Sequence, residues 1–508
     1  MALAESKSFR SEQVLIPLLC LAGALRVFIF SAAFPFFSNI DEDLHLDLIT
    51  QYSHGQIPRS FDRLKEETLN WIVPYASPEF VFPPDYFSDG KYPPPIWKQS
   101  WSKVEPEIAA TRAAWSSEIN FESSQPPLYY AIAGLWWRAG QQIGLSGIES
   151  LYWIRFLNVA LMAIVVWLAY VAARTIAPER LDVRVGAPLL VAFIPQNVFY
   201  AMNSDVLSPL CFGVLFLCVL KWLRTDAPGL LLAAVTGVAI ACTYLTKLSN
   251  LPLIAIAVAV VVARLVATSR RTPRAGLSAL AALLLCAAVP IGGWMVWLKL
   301  QFGDFTGSAA KIALLGWTRK PFVEWWQHPI FKPSGLWIFW SDLIAHFWRG
   351  EVGWHGKPFN WRIADGLFTT SSAVFIAAAI LGLRKQFGLS AFQRQAIGVA
   401  ILTVATGIAF LALLSIQFDF GGCINPSRSH PYFTSGRLLT GALIPFALSY
   451  VYGISCLCRL AMSGFRQAHS IGTVSALVVL GAIIVFSQAS EIFITRPVFA
   501  SEHNWFHR

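Results

Sequence analysis

The sequence predicts an all-α polytopic membrane protein with about eleven transmembrane helices and outer-face juxtamembrane helices and loops. Three observations predict it. Of the 508 residues, 56% are hydrophobic and only 13% charged, where a soluble domain carries about 25% charged residues. The mean hydropathy is +0.55. The apolar residues also fall in runs of the length a spanning helix needs, about 20 residues. A wholly soluble protein is excluded. The formal net charge of +10 does not point to nucleic acid, because Lys and Arg stand in short clusters between apolar runs rather than along a stripe or a tail.

The runs fall at about Val14–Phe37, Leu151–Ala173, Val185–Ala201, Val206–Leu223, Gly229–Thr246, Leu251–Val266, Leu277–Leu300, Leu367–Leu383, Ala396–Ile416, Leu438–Cys458 and Ile471–Ser490. The first is too long for a signal-peptide core and carries Arg26, so it reads as an uncleaved span. Orientation follows from the basic clusters: Lys7 and Arg10; Arg174, Arg180 and Arg184; Lys221 and Arg224; Arg264, Arg270, Arg271 and Arg274; Arg384, Lys385 and Arg394; Arg459 and Arg466. With eleven spans and a cytoplasmic N-terminus, all of them lie inside. The run Pro127–Ile143, interrupted by Arg138 and rich in Trp and Gln, would reverse every later cluster if it crossed. It is expected to lie in the outer interface.

This arrangement makes residues 1–508 one integral-membrane domain. Its outer segments are 38–150, which holds an acidic motif and the interfacial helix, the aromatic-rich 301–365, and 417–436. Prolines at 83, 84 and 93–95 forbid long helices in the first. Seven of the eight cysteines lie in or beside apolar runs, so a disulfide framework is not expected.

The polar chemistry gathers in the outer segments. Directly after the first span, Asp41-Glu42-Asp43-Leu44-His45-Leu46-Asp47 places four carboxylates and an imidazole at the hydrocarbon edge, with Asp41 and His45 on one helical face. A partly desolvated carboxylate there can accept a proton from a hydroxyl nucleophile; the plainer reading is a solvated acidic stop to the span. The stretch Asn120-Phe121-Glu122-Ser123-Ser124-Gln125-Pro126-Pro127-Leu128-Tyr129-Tyr130 reads as a polar helix entrance. Lys247, in Thr246-Lys247-Leu248, either snorkels or meets an anion such as a lipid phosphate. Arg437 enters a late span, where its fork can seat a phosphate. Asn203, Ser204 and Asp205 either cap a helix or meet a polar ligand. His328, His346 and His355 lack metal-ligand spacing, and no P-loop, GxSxG elbow or dinucleotide fingerprint is present. The tryptophans around them fit an interfacial belt.

The order of these features, with DEDLH after the first span, then QPPLYY, then Thr-Lys, then Gly-Arg before a late span, resembles the integral-membrane glycosyltransferases of the C-type fold. That superfamily includes protein O-mannosyltransferases, aminoarabinose transferases and oligosaccharyltransferases. The DEDLH and QPPLYY pair is similar to a bacterial membrane group within it classed as a domain of unknown function. The resemblance implies a polyprenyl-phosphate-linked sugar in the outer leaflet of a bacterial inner membrane, an acceptor of undefined kind (glycan, lipid or protein) and inverting transfer, sometimes with a divalent metal. Residue by residue it implies Asp41 as base, Glu42 as its partner, His45 in the DExxH-like pattern, and Lys247 and Arg437 near the donor phosphate. Glu122, Gln125, Tyr129, Asn203 and Asp205 are left to hold acceptor or substrate. Leu438 and Leu439 stand where an aromatic often follows Gly-Arg. A transporter and a non-catalytic envelope scaffold are the alternatives. The first would place ionisable groups in broken helices near the midplane.

Overall fold

The computed structural model describes residues 2–507 except 39, 88, 227–228, 385–387, 424–425 and 463–467. Asn39, Lys385, Asn425 and Arg466 therefore lie outside the described residues. The chain opens with α1 (Ala2–Ala33), followed by four helices of the first polar segment: α2 (Glu42–Ser53), α3 (Glu66–Tyr75), α4 (Trp101–Trp115) and α5 (Leu128–Gln142). Next come α6 (Gly147–Ile176), α7 (Leu181–Phe193), α8 (Ser208–Arg224), α9 (Leu230–Thr246), α10 (Leu251–Arg271) and α11 (Pro273–Phe302). The aromatic segment holds α12 (Ser308–Leu314), β1 (Thr318–Arg319), α13 (Phe322–Trp325), α14 (Pro333–Arg349), β2 (Gly353–Trp354) and β3 (Lys357–Pro358). The last elements are α15 (Arg362–Gly382), α16 (Ala391–Gln417), β4 (Phe418–Asp419), α17 (Leu443–Ala461) and α18 (Ala468–Phe499).

All eleven apolar runs are helical, and among the described residues nine helices are long and apolar enough to span. The protein is an all-α polytopic membrane protein. The other two runs are shorter. α7 has 13 residues because Pro195 drives its predecessor out of the α region, and the chain continues as a 3-10 turn at Asn197–Tyr200. α9 has 17 residues, about 25 Å at 1.5 Å per residue.

The helices alternate in direction, and their two ends differ in chemistry. At one end Arg180 and Arg459 meet Asp182, Arg184 meets Glu12, and Arg264 donates to the carbonyls of Trp222 and Thr225, closing the C-termini of neighbouring helices. At the other end lie the polar motifs. α5 remains there, packed on α2 and α6. Gly134 gives α5 its close approach to α2, since a Cβ would stand 2.8 Å from the Ser53 nitrogen. Trp136 stacks on Trp153, ring centroids 4.2 Å apart, and each indole donates to the other's carbonyl.

The aromatic segment is built into this end as well as laid on it. β1 pairs antiparallel with β4, and β2 with β3. Trp337 and Trp326 are exposed as a belt requires, whereas Trp348 is fully buried, stacked on Phe368 with its indole donating to Ser372. His328 and His346 accept no such belt role: His328 bonds the Pro431 carbonyl and His346 that of Thr434, tying the segment to the late loop. All eight cysteines are free.

Candidate functional site

The site begins where α1 stops. Its last carbonyls need donors, and Arg155 of α6 supplies them, donating to Ser31, Phe34 and Pro35. The same guanidinium grips both oxygens of Glu42 at 2.7 Å, and Glu42 also accepts the backbone N–H of Phe37 and of Met202 at 2.9 Å. Every acceptor direction of Glu42 is used. Glu42, expected as the partner of the base, is held by Arg155 and these two N–H groups, and among the described residues no contact joins its carboxylate to that of Asp41. Its anchor forces the connection into a tight turn in which Phe37 and Asp41 adopt left-handed φ of 62° and 63°. Asp tolerates that conformation, while Phe holds it only because its surroundings over-determine it.

From that turn the acidic residues point to four different places. Asp41 accepts from Arg437 Nη2 at 2.6 Å, and Arg437 Nη1 donates to the Ile40 carbonyl at 3.0 Å. Asp47 is spent on structure, accepting from Thr68, Asn120, Gln51 and the Lys65 backbone. Asp43 has no cation of its own among the described residues; burial, and then the charge of Asp41, push its carboxyl up to about 8. His45 is buried, with Nδ1 2.8 Å from the Tyr130 hydroxyl, and burial pushes its imidazole down to about 3, so it is neutral.

Around Arg437 the charges form a chain. Its Nε lies 3.9 Å from Asp205 Oδ2 and 3.9 Å from Glu351 Oε2. Lys247 Nζ donates to the same Asp205 oxygen at 2.8 Å. Lys247 and Arg437, 190 positions apart, thus converge on one carboxylate, as a shared anionic pocket requires. They differ in depth. Lys247 and Asp205 have only 8% and 1% of their side chains exposed, whereas Arg437, Asp41 and Glu351 show 19%, 23% and 21%. The rim is Asp41, Arg437 and Glu351, and the floor is Asp205 and Lys247.

The remaining expected residues divide between site and scaffold. Glu122 joins the site: Lys311 donates to it at 2.7 Å. Burial opposes its ionisation, but Lys311, with Lys247 behind it, holds the carboxyl well below the usual range. Asn203 is a cap, its amide oxygen accepting from the Asp205 N–H at 2.8 Å while its nitrogen holds the Ile40 carbonyl. Asp205 accepts from Lys247 at 2.8 Å. Gln125 contributes a backbone turn with Glu122. Tyr129 is buried edge-on against Tyr130, and it is Tyr130 that reaches His45. Sequence reasoning missed Glu351, Lys311 and Tyr130. Tyr130 had a signal in the QPPLYY motif itself; Glu351 follows a glycine with φ of 89°, a turn just past α14. Among the described residues no three His, Cys, Asp or Glu side chains form a group able to hold a metal ion.

Residues 25–418 match the family model described as Predicted membrane protein (DUF2142). The chain belongs to that family. Among curated proteins, heme A synthase of Rhodopseudomonas palustris (strain BisB5) is 30% identical over 138 residues, 22% of this chain and 35% of that protein. The match thus spans about a third of that relative's own length. Solved structures similar to the chain include the apo Archaeoglobus fulgidus oligosaccharyltransferase, with TM-score 0.40 and 11% identity over 96% of this chain and 56% of that one. Another is Archaeoglobus fulgidus AglB in complex with an inhibitory peptide and a dolichol-phosphate, at 0.36 and 13% over 95% and 56%. A third is ArnT from Cupriavidus metallidurans bound to undecaprenyl phosphate, at 0.40 and 12% over 96% and 74%.

Proposed function

We propose that this DUF2142 protein is an inverting glycosyltransferase of the bacterial inner membrane. It takes a sugar from a polyprenyl-phosphate donor and passes it to an acceptor hydroxyl on the outer face, with its N-terminus in the cytoplasm. The observation that carries the reading is the meeting of Asp41 with Arg437, 396 residues later, at 2.6 Å on the polar end of the bundle, beside Lys247. The acceptor O–H gives its proton to Asp41 as its oxygen attacks the anomeric carbon. The bond from that carbon to the phosphate oxygen breaks, and the electron pair leaves on the polyprenyl phosphate, whose charge Arg437 meets. Lys247 acts from behind through Asp205. Neutral His45 and Tyr130 hold α2 on α5 and thereby aim Asp41. The motif order supports the same reading.

The test is transfer by purified full-length protein, supplied with the lipid-linked sugar that mass spectrometry finds in its lipid extract. Asp41→Asn should slow transfer about 100-fold to 10,000-fold, the usual worth of a general base. Activity within a few-fold of wild type rejects Asp41 as base.

A transporter is the second reading, and one observation favours it. Arg26 and Glu491 pair at 3.1 Å inside the bundle, so the spans hold more charge than the separate runs suggest. Yet Arg26 is also committed to Tyr200 and to the carbonyls of Ala192 and Ile194, a saturated clamp across the break after α7.

A further inference from the structure

Arg437 presents two donors on one edge, Nε–H and Nη2–H, and the structure uses only one of them well. Nη2 is held by Asp41, while Nε is buried with no hydrogen-bond partner, its nearest carboxylates at 3.9 Å. A phosphate is recognised best when two of its oxygens take both donors of such an edge. With the Asp41 carboxylate 2.6 Å from Nη2, a phosphate drawn to that edge meets a second anion on the same nitrogen. Resting on the donor reading above, we propose that a ligand phosphate and the Asp41 carboxylate compete for the Nη2 edge of Arg437, so that seating the phosphate releases Asp41 from its ion pair.

The surroundings allow that exchange. Arg437, Asp41 and Glu351 form the part-exposed rim, so a phosphate approaches the guanidinium from that side, ahead of the buried Lys247–Asp205 floor. The other end of the guanidinium stays fixed, because Nη1 remains on the Ile40 carbonyl. Ser435 and the Arg437 backbone N–H hold Glu351 at 2.9 and 3.1 Å, so it remains the standing countercharge. The freed carboxylate then lies beside the departing phosphate with its proton-accepting oxygen uncovered. Arg437 thus masks the base until the donor arrives.

Competition predicts that disabling the base strengthens donor binding. Full-length protein in nanodiscs is titrated with undecaprenyl phosphate, undecaprenol, phosphatidylglycerol and inorganic phosphate, for wild type, Asp41→Asn, Asp41→Ser and Asp41→Glu. Thermal midpoints are recorded alongside. The expected result is that the Asn and Ser variants bind undecaprenyl phosphate about tenfold more tightly, a factor equal to about 1.4 kcal/mol, and that Glu does not. In an Arg437→Ala background the gain should vanish. Unchanged or weaker binding by both folded variants overturns the exchange while leaving the donor reading intact. Failure of wild type and variants alike to prefer undecaprenyl phosphate over undecaprenol overturns both. An equal gain with phosphatidylglycerol or inorganic phosphate upholds the exchange and assigns the seat to a different phosphate.

Discussion

Glu42 and Arg155 meet edge to edge, two nitrogens on two oxygens at 2.7 Å, with neither side chain exposed. Removing one partner of such a pair leaves an uncompensated buried charge, at a cost of about 3–5 kcal/mol. Arg155→Met should therefore lower the yield and thermal midpoint of purified protein sharply, and so should Glu42→Gln, since the amide oxygen can accept from only one of the Phe37 and Met202 N–H groups and leaves Arg155 uncompensated. Asp41→Asn, at a rim position, should leave the midpoint near wild type. A midpoint ordering with Asp41 as the most damaging site would contradict this division between anchor and site.

Lys247 and Asp205 offer a second stability test, because each is the other's nearest opposite charge on the floor of the site. Lys247→Ala leaves Asp205 with only the more distant Arg437, and Asp205→Asn leaves Lys247 uncompensated. The double variant should be less destabilised than the sum of the singles, by about 0.5–3 kcal/mol of coupling. Simple additivity in denaturation measurements would show that the contact is not an energetic pair.

The helices were legible in the sequence because apolar length is a property of each segment alone; the site was legible only in outline. Asp41, Glu42, Asp43 and Asp47 look interchangeable as a string of acids, and the left-handed turn at Asp41 sends the first, second and fourth to Arg437, Arg155 and Asn120 respectively. That turn is imposed by Arg155, more than 100 residues away, so no local pattern announces it. Glu491 shows the same limit. Its run reads as ending at Ser490, but α18 continues to Phe499 and carries Glu491 inward to Arg26. Lys311 and Glu351 are two of many scattered charges in an aromatic segment, and only tertiary contact singles them out.

The alternation of basic and polar ends makes topology testable. Single cysteines placed at the exposed positions Glu107 and Thr272, in a background without native cysteines, should behave oppositely in intact cells: a membrane-impermeant maleimide should label Glu107→Cys and spare Thr272→Cys. Labelling of Thr272→Cys alone would invert the protein and move Asp41 to the cytoplasm.

Two buried groups on α2 give the folded state opposite responses to pH. Asp43 is raised from 3.8 to about 8. The unfolded chain therefore releases this proton first, and the stabilisation Asp43 contributes is complete below pH 3.8 and is lost as pH rises towards about 8. His45 is lowered from 6.5 to about 3. Its contribution is complete above pH 6.5 and is lost as pH falls towards about 3, because the unfolded imidazole takes up a proton that the buried one refuses. Asp43→Asn should thus flatten the alkaline side of a plot of thermal midpoint against pH, and His45→Gln should flatten the acid side while keeping an acceptor for Tyr130. The two variants together should leave a broader plateau than either. A wild-type slope that persists unchanged between pH 4 and 8 in Asp43→Asn would show that this carboxyl is ionised in the folded protein.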